Sequence, residues 1–137
     1  MFEKIKCFIL DMDGTIYLGN ELFPFTKDFL KKVEDTGREY YFFTNNSSKS
    51  QQAYIEKLAR LGIQIKKEQM MISSHVIIKY LKEYYDKKSI YVVGTPSLIQ
   101  EFESFDMNLT EEDPDIVVLG FDTTLTYEKL SKACHYI

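Results

Sequence analysis

Two aspartates stand one residue apart near the start of the chain, in Asp11-Met12-Asp13-Gly14-Thr15. The residues ahead of them, Ile5-Lys6-Cys7-Phe8-Ile9-Leu10, form a short and almost wholly apolar run. That is the pattern of a strand buried on both faces of a parallel sheet. Residues i and i+2 of an extended chain point the same way, so Asp11 and Asp13 would leave the strand's carboxyl end on one side. Open α/β sheets bind ligands at that end of their strands. Two carboxylates held so close repel unless a cation lies between them. Hard oxygen donors of this kind suit Mg²⁺, which takes one or two carboxylates and completes its shell with water and substrate phosphate. Gly14 allows a sharp turn and a close approach of ligand to backbone. The same residues also satisfy a plain turn, since Asp and Gly are turn formers. A calcium loop fits poorly, because no ladder of acidic ligands and no bidentate Glu follows at the required spacing.

A second polar cluster, Thr44-Asn45-Asn46-Ser47-Ser48, follows the apolar run Tyr40-Tyr41-Phe42-Phe43. Hydroxyl and amide donors just ahead of a helix N-terminus suit a phosphate. The local alternative is an extended helix cap, a position that Ser, Thr and Asn favour for reasons of their own. One strand end bearing an acidic pair and the next bearing phosphate donors tip the balance toward a site.

Both clusters need a scaffold, and the chain supplies an alternation of strand and helix patterns. Ile16 to Asn20 reads as a hairpin with Gly19-Asn20 at its turn. Thr26 is placed to cap a helix from Lys27 to about Asp35, with Phe25, Phe29 and Val33 at four-residue steps and Gly37 closing it. A helix from about Ser50 to Leu61 carries Tyr54, Leu58 and Leu61 on one face and ends at Gly62. Met70-Met71-Ile72 reads as a third strand, followed by a helix from Ser73 or Ser74 through Tyr85. Its inward face is expected to hold Val76, Ile77, Tyr80, Leu81 and Tyr84. Ile90 to Gly94 and Ile116 to Gly120 read as further strands. Thr95-Pro96 opens a helix with proline at its first position and Leu98, Ile99 and Phe102 as its buried stripe. Thr126 opens the last helix, which carries Leu130, Ala133 and Cys134. The rhythm is that of a parallel α/β fold.

The chain has 137 residues, 45% of them hydrophobic and 28% charged, which is ordinary globular composition. A net charge of −4 argues against a general nucleic-acid binder. No apolar run is long enough to span a membrane, and the N-terminus lacks a signal-peptide pattern. Cys7 and Cys134 have no metal-ligand spacing and are expected to be core thiols in a reducing cytoplasm. His75 and His135 have no companion ligands.

In their order and separation these stretches resemble the haloacid-dehalogenase (HAD) superfamily of hydrolases. Asp11-Met12-Asp13-Gly14-Thr15 resembles its first motif, and Thr44 in Thr44-Asn45-Asn46-Ser47-Ser48 its second. Ile72-Ser73-Ser74, Tyr91-Val92-Val93-Gly94, Val118-Leu119-Gly120-Phe121-Asp122 and Thr126-Tyr127-Glu128-Lys129-Leu130 extend the likeness to the NagD-like p-nitrophenyl phosphatases. The resemblance implies a Rossmann-like parallel sheet, the N-terminal part of the HAD core over residues 1–85. The first half of an inserted α/β cap domain would follow over 86–137. It implies a Mg²⁺-dependent phosphomonoester hydrolase with an aspartyl-phosphate intermediate. Asp11 would be the nucleophile and a metal ligand. Asp13 would be the acid and base, with its backbone carbonyl on the metal. Thr44, Asn45 and Asn46 would hold and orient the phosphate.

The family's third motif, a lysine, and its fourth, an acidic pair, have no match here, and Lys49 does not stand at the lysine's position. The last helix pattern also runs to Ile137 without a glycine cap or a following strand. Both features lead to the expectation of the N-terminal portion of a longer fold, with weak Mg²⁺ binding and little turnover on its own. A non-catalytic phosphate- or nucleotide-binding protein of the same fold is the alternative. The expected partner is a small phosphate ester, with no nucleic acid and no membrane. Apolar surface left by a partial cap would favour a homo-oligomer.

Overall fold

The computed structural model describes residues 4–137, which divide into two compact units. The first comprises residues 4–45 and 51–71, and the second residues 46–50 and 72–137.

In the first unit, β1 (Cys7–Asp11) pairs in parallel with β4 (Glu39–Thr44). β5 (Met70–Ile72) completes a sheet of order β1-β4-β5. Register places Phe8 beside Tyr40, Leu10 beside Phe42 and Asp11 beside Phe43. Paired residues of parallel strands share a face. One face therefore carries Phe8, Leu10, Tyr40, Phe42 and Thr44, and on it Tyr40, Phe42 and Thr44 are buried. Helix α1 (Thr26–Asp35) covers this face, with Phe29 edge-on to Phe8 and the Glu34 carboxylate accepting from the Tyr40 hydroxyl. The other face carries Cys7, Ile9 and Asp11, all exposed, with Ile9 at 76%.

The expectation of a strand buried on both faces thus fails for β1, and Cys7 is an exposed thiol, as is Cys134. Among the described residues β1 has a strand neighbour on one side only and a helix layer on one face only. An apolar run records what could be buried, not how many layers are there to bury it.

Between β1 and α1 lies the hairpin of β2 (Tyr17–Leu18) and β3 (Glu21–Leu22), joined by Gly19-Asn20 as expected. Thr26 does not cap α1. Phe25 occupies the cap position, and the buried Thr26 hydroxyl donates instead to the Ile16 carbonyl at 2.8 Å, tying the helix start to the loop ahead of the hairpin. Helix α2 (Gln51–Arg60) buries Gln51, Tyr54 and Leu58. The Gln51 amide donates to the Met70 carbonyl at 2.7 Å and so pins the start of α2 to β5.

The second unit is layered on both faces of its sheet. β6 (Ile90–Val93) and β7 (Ile116–Leu119) run parallel, and every residue of β6 is buried. Ile90 and Val92 pack with Ile78 and Leu81 of α3 (Ser73–Tyr84) and with Leu98 and Phe102 of α4 (Pro96–Ser104). Tyr91 and Val93, on the opposite face, pack with Ala133 of α5 (Tyr127–Tyr136). The start of α4 is as expected, with Pro96 at its first turn and the Thr95 side chain accepting from the Leu98 N–H. Helix α3 turns inward only part of the face expected, Leu81 being buried and Ile77 packed against the core as expected. Ser74, Ile78 and Leu81 are buried, whereas Val76, Tyr80 and Tyr84 are exposed. The Tyr80 ring lies tilted against those of Tyr84 and Tyr85, so this aromatic stripe packs on itself.

Candidate active site

The acidic loop is built by the chain leaving β1. Met12 is fully buried, and its carbonyl accepts from the Ile16 N–H at 2.9 Å. The Gly14 N–H donates to the Tyr17 carbonyl at 2.8 Å. Gly14 sits at φ +82°, a conformation that side chains with a Cβ rarely adopt, so the turn depends on glycine. The buried Met12 anchors the loop while Asp11 and Asp13 on either side stay exposed. The Thr15 hydroxyl reaches one Asp11 oxygen at 3.4 Å.

β4 ends beside this loop. The register that sets Asp11 opposite Phe43 makes Thr44 the next residue beyond the pair, so both strands deliver polar residues at one edge of the sheet. Thr44 is buried and Asn45 exposed, and both are engaged in further polar or packing interactions.

Asn46 belongs to the second unit, where its side-chain oxygen accepts from the Ser48 N–H at 3.0 Å. The rest of the polar run is also committed within that unit. The Ser47 hydroxyl accepts from the Phe121 N–H, the Ser48 carbonyl from the Thr95 hydroxyl, and the Ser50 N–H donates to the Ser97 hydroxyl. Of the five-residue cluster, Thr44 and Asn45 thus share a unit with the aspartates.

Sequence reasoning missed Lys57. It projects from α2, 12% exposed, and places its ammonium 3.8 Å from an Asp13 oxygen and 3.7 Å above the centre of the Tyr17 ring. The Tyr17 hydroxyl donates to the other Asp13 oxygen at 3.3 Å. Burial, and after it the negative charge of Asp13, holds the Tyr17 phenol well above its ordinary pKa, so it is a neutral donor. The available signal was helical spacing. Lys57 stands three residues after Tyr54 and beside Leu58, at the margin of the buried stripe of α2.

The donor set around the aspartates bears on a metal. Among the described residues no group of three or more His, Cys, Asp and Glu is placed to hold one. Two exposed carboxylates on one loop fit Mg²⁺, which binds through few protein ligands and keeps waters or substrate phosphate for the rest.

The second unit shows another use of a strand end. Asp122, just beyond β7, has a side chain only 2% exposed. Its carboxylate accepts from the Lys129 ammonium at 2.7 Å and from the Thr124 hydroxyl and N–H. Burial works to raise its pKa, but these donors together outweigh burial and hold it below the ordinary range. Lys129 also donates to the Gly94 carbonyl at the end of β6.

The sequence model for haloacid dehalogenase-like hydrolases matches residues 8–108. The chain belongs to that family, as the motifs implied. It is 32% identical over 132 residues to the 5'-nucleotidase YutF of Bacillus subtilis, covering 96% of this chain and 52% of the relative. It is 30% identical over 132 residues to the acid sugar phosphatase of Staphylococcus aureus, covering 96% and 51%. The solved 4-nitrophenylphosphatase of Thermotoga maritima superposes with a TM-score of 0.91 at 42% identity, covering 96% of this chain and 51% of that one. The chain thus spans about half the length of the relatives it matches. No helix among the described residues is long and apolar enough to cross a membrane.

Proposed function

We propose that the protein is a Mg²⁺-dependent phosphomonoester hydrolase that transfers the phosphoryl group of a small ester to Asp11 and then to water. The observation that carries this reading is the exposed Asp11-x-Asp13 pair at the end of β1, beside a parallel strand that ends in Thr44. Relatives named as a nucleotidase, a sugar phosphatase and a nitrophenylphosphatase support it.

In this reading an Asp11 oxygen attacks phosphorus, and the bond to the leaving oxygen breaks. The proton that this oxygen needs comes from the Asp13 carboxyl. The resulting Asp13 carboxylate then takes a proton from water as that water attacks the Asp11 phosphoryl, which regenerates both residues. Dividing the displacement into two steps is the gain from covalent catalysis. The Thr44 hydroxyl and the Asn45 amide hold phosphoryl oxygens, stabilising charge in place. From its position in the sequence we propose Asn46 with them. Mg²⁺, held by the Asp11 carboxylate and the Asp13 carbonyl, would neutralise charge shared by phosphate and nucleophile.

We place the protein in the cytoplasm and its substrates among nucleotides, sugar phosphates and related esters, with residues 86–137 contributing to a cap over them. The direct test is Mg²⁺-dependent release of p-nitrophenol from p-nitrophenyl phosphate by the protein in its full encoded length. Turnover lost with EDTA and with Asp11→Asn supports the proposal. Phosphate-ester binding without turnover would favour the non-catalytic alternative.

A further inference from the structure

Lys57 is poorly placed for an ordinary surface role. Exposed lysines spread their ammonium into water, and their ion pairs contribute little. Here the side chain is 12% exposed, although its partner Asp13 is 50% exposed. The ammonium rests on a fully buried aromatic ring, that of Tyr17. A cation over an aromatic face is attracted to it, more strongly as water is excluded. That ring is itself fixed, because Tyr17 opens β2 and both its N–H and its carbonyl are engaged with the acidic loop. The two Asp13 oxygens thus face two different anchored groups, the Lys57 ammonium and the Tyr17 hydroxyl.

We propose that Lys57, seated on Tyr17, is a positioning residue that holds the Asp13 carboxyl in a single orientation for proton transfer. This rests on the reading of Asp13 as the acid and base of the reaction. The atom that Lys57 reaches is an oxygen of Asp13. Lys57 acts through Asp13, which is free to rotate about its side-chain bonds at the exposed end of a loop unless its oxygens are held. A shift of about 1 Å in a catalytic group can lower a rate by roughly a hundredfold.

The leaving group separates this role from a merely structural one. p-Nitrophenolate departs without much help from an acid, whereas an alkoxide needs a proton as the bond breaks. The experiment compares kcat/KM, which reports phosphoryl transfer to the enzyme, for p-nitrophenyl phosphate and glycerol phosphate. It uses the full encoded protein with Mg²⁺, as wild type, Lys57→Met, Lys57→Arg and Tyr17→Phe. For Lys57→Met we expect kcat/KM on glycerol phosphate to fall about tenfold or more beyond any fall on p-nitrophenyl phosphate. Lys57→Arg should recover part of that difference. Tyr17→Phe, which keeps the ring under the ammonium, should show a smaller selective loss and keeps the test intact if Lys57→Met does not fold. Equal losses on the two esters, or none, would overturn the inference and leave the phosphatase reading standing. A wild type inactive on both esters would instead overturn the phosphatase reading, and the inference with it.

Discussion

The chain ends two parallel strand pairs in acidic loops and uses them in opposite ways. Beyond β7, Asp122 is withdrawn from solvent and satisfied by Lys129 and Thr124, and the same lysine closes onto the end of β6. Beyond β1, Asp11 and Asp13 remain exposed, and among the described residues only Asp13 is partnered by a cation, at ion-pair distance. Strand topology alone does not distinguish the two ends. The distinction lies in whether the carboxylate's lone pairs are filled by the protein. A filled carboxylate is a clasp, while one such as Asp11, whose hydrogen bond from Thr15 is long at 3.4 Å, is available to a metal or a phosphoryl group.

The most severe way to test this contrast is to remove one carboxylate charge at each end. Asp11→Asn should lower kcat by about 10⁴-fold or more while leaving the thermal midpoint nearly unchanged, since the proposed nucleophile would have no substitute. Asp122→Asn should do the reverse. It leaves the partly buried Lys129 ammonium without its carboxylate and should lower unfolding free energy by about 2–3 kcal/mol, read by urea titration, with activity per folded molecule retained. If Asp122→Asn abolished activity without loss of stability, the contrast would be broken.

A smaller effect is expected at Thr44. Thr44→Val keeps the shape and removes the hydroxyl, so kcat on p-nitrophenyl phosphate should fall by about a hundredfold, as for other single donors to a developing charge. Gly120→Ala should act on stability alone. A Cβ there would stand 2.3 Å from a Leu98 methyl and 3.1 Å from the Ser47 hydroxyl, an overpacking worth about 1–3 kcal/mol.

The smallest effect concerns pH. The hydrogen bond from Lys88, followed by those from the Ser89 N–H and hydroxyl, holds Asp115 down to about 2, below its ordinary 3.8. A carboxyl with a depressed folded-state pKa contributes stability that is full above the unfolded value and is lost as pH falls through the folded one. The thermal midpoint of wild type should therefore drop between pH ~4 and pH ~2, and that component should be missing from Asp115→Asn.

The sequence disclosed most where local chemistry dictates local structure. Gly19-Asn20 made the hairpin legible, Thr95-Pro96 the start of α4, and the two polar clusters the strand ends. Burial was less legible, because it depends on layers that a strand does not encode. β1 and β6 look alike as apolar runs, yet β6 is covered on both faces and β1 on one. Thr26 looked like a cap but reaches Ile16, a tertiary partner that no local rule supplies. Lys57 escaped for a similar reason. Its seat is a ring forty residues earlier in the chain, and a lysine on an amphipathic helix ordinarily reads as solvated.

In the proposed reaction Asp11 carries the phosphoryl group between ester and water. Acid-quenching the full encoded protein during turnover of p-nitrophenyl phosphate with Mg²⁺, followed by peptide mass spectrometry, tests it directly. The expected result is a phosphoryl adduct on the peptide containing Asp11, removable by hydroxylamine and missing from Asp11→Asn. Steady turnover with the adduct on another residue, or undiminished turnover by Asp11→Asn, would contradict it.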